Sequence, residues 1–169
     1  MYPELFVFLF GLVLNKFQNI VGMETGMAGV EYYAEVHQSP WNSMVHTVCM
    51  PFTAYGTLLA VPNILFLNRK RAHIFHRGLY LFYIGHYFTI NMYVTLAYAV
   101  TYFFPMREAV KRYQRSIWCL LKGFAIATTS LCIQEIVGHN MGGDGPSRLE
   151  AVPNAVIYAT YFASENIVW

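Results

Sequence analysis

The sequence predicts an all-α fold: a polytopic transmembrane helical bundle, a single integral-membrane domain with about four to five membrane segments. Two observations predict it. Of the 169 residues, 56% are apolar and 12% are charged, against about a quarter charged in an ordinary soluble domain. Apolar runs long enough to cross a bilayer also alternate with short Lys/Arg clusters. The formal charge of +2 is too small to argue for nucleic acid, and no basic-aromatic stripe tracks a phosphate backbone. Membrane lipid is the partner the composition selects.

The apolar run from Leu5 to Leu14 is too short to span, and it lacks a basic leader and a small-residue cleavage site. It reads as an interfacial or packed helix. Residues 15–43 are the long polar stretch, a loop leading into a short helix on which Tyr32, Tyr33, Val36 and His37 share a face. Pro40 ends that helix near Gln38, and the next is expected to start around Asn42 or Ser43.

The first membrane segment runs from Met44 to Leu67, with Pro51 and Pro62 expected to bend it. The basic cluster Arg69-Lys70-Arg71, with His73, His76 and Arg77, separates it from a second apolar stretch, Gly78 to Phe104, which Pro105 is expected to stop. Arg107, Lys111, Arg112 and Arg115 precede a third segment from Ser116 to Val137. After the helix-ending turn Gly142-Gly143-Asp144-Gly145-Pro146 comes a last segment from Leu149 to Ala163. The two successive loops hold four and five Lys/Arg, counting Lys122, and the positive-inside rule puts both on one side. That requires the stretch from Pro62 to Phe104 to cross twice, breaking near Gly85-His86. It also makes the crossings between His46 and His139 even in number, so those histidines can share a site.

Ionisable groups at membrane depth point to a metal, a proton path or a ligand, which directs attention to the six histidines. His73 and His76 lie among cations that would oppose a metal ion, and read as headgroup-facing. His86, enclosed by aromatic residues, is either a core histidine or a metal ligand. Glu135 and His139 stand at i and i+4, on one helix face, and a carboxylate with imidazoles is a ligand set for non-haem Fe(II). Glu135 is either such a ligand or the group that orients His139. Cys49, Cys119 and Cys132 form no C-x-x-C pair and read as packing residues, and neither a nucleophile elbow nor a phosphate loop is present.

Two motifs carry a resemblance. His37, Pro40, Asn42 and His46, followed by Pro51, form a His-x-x-Pro-x-Asn-x-x-x-His pattern entering the first segment; Glu135-Ile136-Val137-Gly138-His139, with Asp144, Pro146 and Leu149 beyond, closes the third. Together, over about Tyr33 to Tyr161, they resemble the membrane-embedded Fe(II)-dependent 2-hydroxy fatty acid dioxygenases of fatty acid α-oxidation and phytosphingosine breakdown. On that resemblance 33–161 is a family-like core and 1–32 an N-terminal extension. The second motif departs from the family pattern: Glu135 replaces a glutamine, with Gln134 one place earlier; Gly143 takes the acidic position, with Asp144 one place late; and Pro-Ala-Leu has become Pro146-Ser147-Arg148-Leu149.

The resemblance implies catalytic residues His37, His46 and His139, and an Fe(2+) held by them with His86 as a fourth ligand and Glu135 as ligand or orienter. It implies a 2-hydroxy fatty acid and O2 as substrates, the acid leaving one carbon shorter, and an endoplasmic reticulum membrane as location. Asn42 is expected to hold the histidine loop or cap its helix. A second reading is a non-catalytic integral-membrane subunit of a larger assembly, a respiratory complex or a viral membrane or capsid layer, with protein partners in that complex and another organelle or viral membrane as location. A third is a haem protein with paired histidines.

Overall fold

The computed structural model describes residues 30, 31, 34, 35, 37–144 and 152–168. Among them is no strand; residues 30, 31 and 34 are helical, and five longer helices follow: α1 (Pro40–Ile64), α2 (Arg69–Phe88), α3 (Met92–Arg112), α4 (Ile117–Ile133), which widens into a π-helical turn (Gln134–Asn140), and α5 (Val152–Val168). The expectations for Leu5 to Leu14 and for the face shared by Tyr32, Tyr33 and Val36 fall outside the described residues.

Each start has a local cause. Ser39 is the N-cap of α1 and Pro40 its first residue, so the helix begins two residues earlier than expected from Asn42; proline's fixed φ suits the first turn, where no N–H partner is needed. Asn68 accepts from Arg71 N, Asn91 from Tyr93 N and Val94 N, and Ser116 from Cys119 N, capping α2, α3 and α4. The expected break at Gly85-His86 falls slightly later, at Thr89 to Asn91. Pro105 does not stop the second apolar stretch. α3 continues through it to Arg112, where burial of Met106 and Ala109 against Leu58, Leu59 and Ala72 offsets the proline's cost of roughly 3 kcal/mol.

α1 lies along α4 with the backbones in contact. A Cβ added at Gly56 would sit 2.6 Å from Ala127 N and from Gly123 O, and one at Gly123 2.7 Å from Ala60 N. Small residues at such a crossing let helices associate without a hydrophobic driving force between them. α2 and α3 pair instead through rings: Tyr98 lies against Tyr80, Tyr83, Tyr87 and Tyr102, with centroids 4.6–5.9 Å apart. α5 closes the bundle with Tyr158, Tyr161 and Phe162 in the same core.

The two basic loops meet at one end. Asn63 donates to Gln114 O and accepts from Ser116 N, and the Tyr113 hydroxyl donates to Leu67 O. His76, expected to face headgroups, is instead fully buried beneath these loops, 2.7 Å from Leu58 O through Nε2. The histidine-bearing start of α1 and the turn that follows α4 are at the other end.

Two helices are long and apolar enough to cross a membrane: Pro40–Ile64 and the continuous Ile117–Asn140. In the most apolar window of the second, 17% of residues are buried, too few for the core helix of a soluble domain. Ile117, Trp118, Leu121, Phe124, Leu131 and Ile136 are exposed on its outside, continuous in character with Met44, Val48 and Phe52 of α1.

Candidate metal centre

Three of the predicted histidines converge. His37 lies just before α1, outside any helix and with its N–H donating to Ala34 O at 2.9 Å, His46 two turns into α1, and His139 in the π-helical turn. Their ring centroids are 4.4, 4.8 and 5.3 Å apart, and each offers a ligand nitrogen within 4.8 Å of the others. All three are buried. Nitrogens that close lie at most about 2.8 Å from a common centre, so reaching a metal–imidazole bond of about 2.1 Å takes side-chain shifts of less than an ångström. The trio can hold a metal ion.

His46 supplies the strongest argument for a ligand. Both of its ring nitrogens are buried, and neither has a hydrogen-bond partner among the described residues. A buried imidazole with nothing to bond costs about 1–3 kcal/mol, which a metal would offset.

The second histidine motif is clamped onto the first. Asp144 accepts from Ser39 N at 3.1 Å, satisfying the start of α1 in place of a side-chain cap, and from Asn42 Nδ2 at 2.8 Å. The same Nδ2 lies 3.4 Å from His139 Nδ1, and the carboxylate fixes which end of the amide faces it. Asn42 therefore holds the histidine loop, one of the two roles expected of it. Two glycines permit this approach: a Cβ at Gly138 would sit 2.6 Å from Asn42 Oδ1, and one at Gly142 3.1 Å from Ser39 Oγ. Gly143, at φ +77°, turns the chain toward Asp144 as a left-handed residue ending the helix. The Trp41 indole donates to Val137 O across the same contact.

Glu135 and His86 lie differently. Glu135 Oε1 is 4.0 Å from His139 Nε2, with its side chain nearly half exposed. His86 is fully buried at the same end of the bundle, against Phe82, Tyr87 and Tyr158, and is not one of the three converging side chains. Phe162, one turn beyond Tyr158, meets His37 at 5.3 Å.

A residue that sequence reasoning did not assign to the site is Gln134. In the wide turn it is 2% exposed, while Glu135 is turned outward. Its Nε2 donates to Thr53 Oγ1 at 2.9 Å and Ser130 O at 3.2 Å, and Ser130 Oγ donates to Cys49 O. A lone amide in the most apolar segment, in reach of a threonine two turns past His46, was the available signal.

A cavity of about 450 Å³ begins at His37 and His46, passes Thr53 and Gln134, and ends at Leu58, His76 and Met106 under the basic loops. From His46 to Leu58 it follows α1 for about 18 Å. Aliphatic side chains and the rings of Tyr80, Tyr83, Tyr98 and Tyr102 line most of it, a shape for a long apolar tail with its polar head at the histidines. No protein-family model, curated protein or solved structure matches this chain.

Proposed function

We propose that this chain is a membrane-embedded, Fe(II)-dependent dioxygenase that shortens 2-hydroxy fatty acids by one carbon. The observation that carries the reading is the orphaned His46, set among three buried histidines at the head of a long apolar cavity. The motif resemblance selects iron from among the metals, zinc, copper and nickel included, that an all-imidazole set suits. His37, His46 and His139 would hold the iron, which supplies the redox chemistry toward dioxygen; Glu135, 4.0 Å from His139, would orient that ring, and His86 would pack against Tyr158 outside the trio. The C1–C2 bond breaks, leaving the shortened acid, carbon dioxide and water for each dioxygen consumed. The chain's own part is to orient the hydroxy-carboxylate at the cavity head and keep the tail in apolar surroundings.

In this reading α1 to α4 cross the bilayer and α5 is the fifth embedded segment. α2 and α3, with 20 and 21 residues, match a hydrocarbon core of roughly 30 Å. Four crossings put both basic loops on one face and the histidines toward the other, in an endoplasmic reticulum membrane if the resemblance extends to location. Cysteines introduced beside His37 and after His139 are expected to react with an impermeant reagent from the same side; reaction from opposite sides overturns the topology.

The enzyme test supplies Fe(II), oxygen and a 2-hydroxy fatty acid to the purified chain and looks by mass spectrometry for the acid one carbon shorter. Product that disappears in His46→Ala and His139→Ala supports the proposal. Stoichiometric iron without product removes the activity, and metal-free protein copurifying with fixed partners favours the structural subunit of a larger membrane assembly.

A further inference from the structure

We infer that Gln134 is a positioning residue that reads a ligand hydroxyl on the head-side half of an acyl chain, through an amide oxygen presented to the cavity between the histidines and Leu58. The inference takes from the proposed function only that the ligand is an acyl chain with its head at the histidines.

Both amide hydrogens of Gln134 are committed: Nε2 donates to Thr53 Oγ1 and to Ser130 O. Ser130 O can only accept, which fixes the amide nitrogen on that side and leaves Oε1 on the other. Thr53 cannot swing away to release it, because its own hydroxyl donates to Ser130 Oγ, which in turn donates to Cys49 O. Oε1 has no hydrogen-bond partner among the described residues, and Gln134 lines the cavity with His46 and Thr53.

The arrangement is therefore an acceptor held at fixed orientation in a mostly apolar wall, which Thr53, Glu135 and the histidines also share. An acceptor of this kind discriminates by chemistry: a hydroxyl can donate to it, a methyl ether cannot, and a plain methylene leaves it unsatisfied. Sites built to bond a hydroxyl reject analogues that lack the donor, because the buried partner is then left alone. Gln134 lies five residues before His139, just over one wide turn, and its amide meets Thr53 two turns past His46, so the group it reads is on the head-side half of the chain rather than the distal tail.

The experiment uses the full-length chain in detergent, stripped of metal with a chelator so that chelation at the histidines does not contribute. Binding of long-chain acids hydroxylated at a single carbon, from the second to the eighth, is compared calorimetrically with that of the corresponding methoxy acids and the unsubstituted acid. At least one hydroxy acid is expected to bind about tenfold more tightly than its methoxy counterpart. Gln134→Met, similar in size but without the acceptor, is expected to abolish that preference. Equal binding of hydroxy and methoxy acids, a preference that survives in Gln134→Met, or no binding of any acid overturns the inference. If Gln134→Met does not fold, the wild-type comparison decides alone. Because iron is absent throughout, failure here is distinguishable from failure of the iron and turnover assays.

Discussion

The α1/α4 pair and the α2/α3 pair solve helix association in opposite ways. α1 and α4 meet backbone to backbone at Gly56 and Gly123, and a run of hydroxyl and amide contacts continues the join toward the histidines. α2 and α3 are held apart by stacked and edge-on tyrosines, and the space so kept forms one wall of the cavity. Close contact fixes ligand geometry, because His46 and His139 ride on the two helices that cannot slide past each other. Ring-to-ring contact instead makes room.

The largest expected effect comes from breaking the close pair. Gly123→Leu places side-chain atoms where the backbone of α1 already lies, beyond what side-chain repacking relieves, and is expected to leave no folded monomer by gel filtration and near-UV circular dichroism. Tyr98→Leu, in the ring-packed pair, is expected to fold at a cost of about 2–4 kcal/mol in denaturant titration and to enlarge the cavity. Equal tolerance of both would erase the contrast.

His46→Leu sharpens it differently. Metal binding, read by elemental analysis, is expected to disappear, while the metal-free protein gains about 1–3 kcal/mol because two unsatisfied buried nitrogens are removed. A destabilised, metal-free variant would mean that the ring is held by bonds other than a metal's. Asn42→Ala releases the clamp between Asp144 and the start of α1, with an expected loss of about 1–2 kcal/mol and weakened metal affinity while the helices stay paired.

The smallest effect is at the basic end. Glu108 lies near the end of α3, where its carboxylate pairs with Arg112 at 3.0 Å and Lys111 at 3.3 Å. Glu108→Gln is expected to shift the melting temperature by no more than the limit of measurement, because exposed pairs of this kind contribute little.

Much of this was legible in sequence because it rests on local chemistry. The helix order, the convergence of His37, His46 and His139, and the place of Asn42 all follow from spacing, charge and motif. Pro105 misled because a local cost was outweighed by burial several residues on, and His76 because its neighbours in sequence are cations while its neighbours in space are Leu58 and Tyr113. Gln134 was passed over for a geometric reason: an α-helix would turn it away from His139.

The wide turn after α4 has a consequence for chain length. In an α-helix residues five apart point about 140° from each other, so one extra residue ahead of His139 would rotate either the amide or the imidazole out of the site. A turn that closes its hydrogen bonds one residue later absorbs that surplus and returns Gln134 and His139 to the same buried side. The turn thus works as a register corrector. Removing Val137 should relax the wide turn into ordinary helix with the glutamine and the histidine now four positions apart, about 40° from each other and still on the buried side, so both keep their places while the extra width is lost.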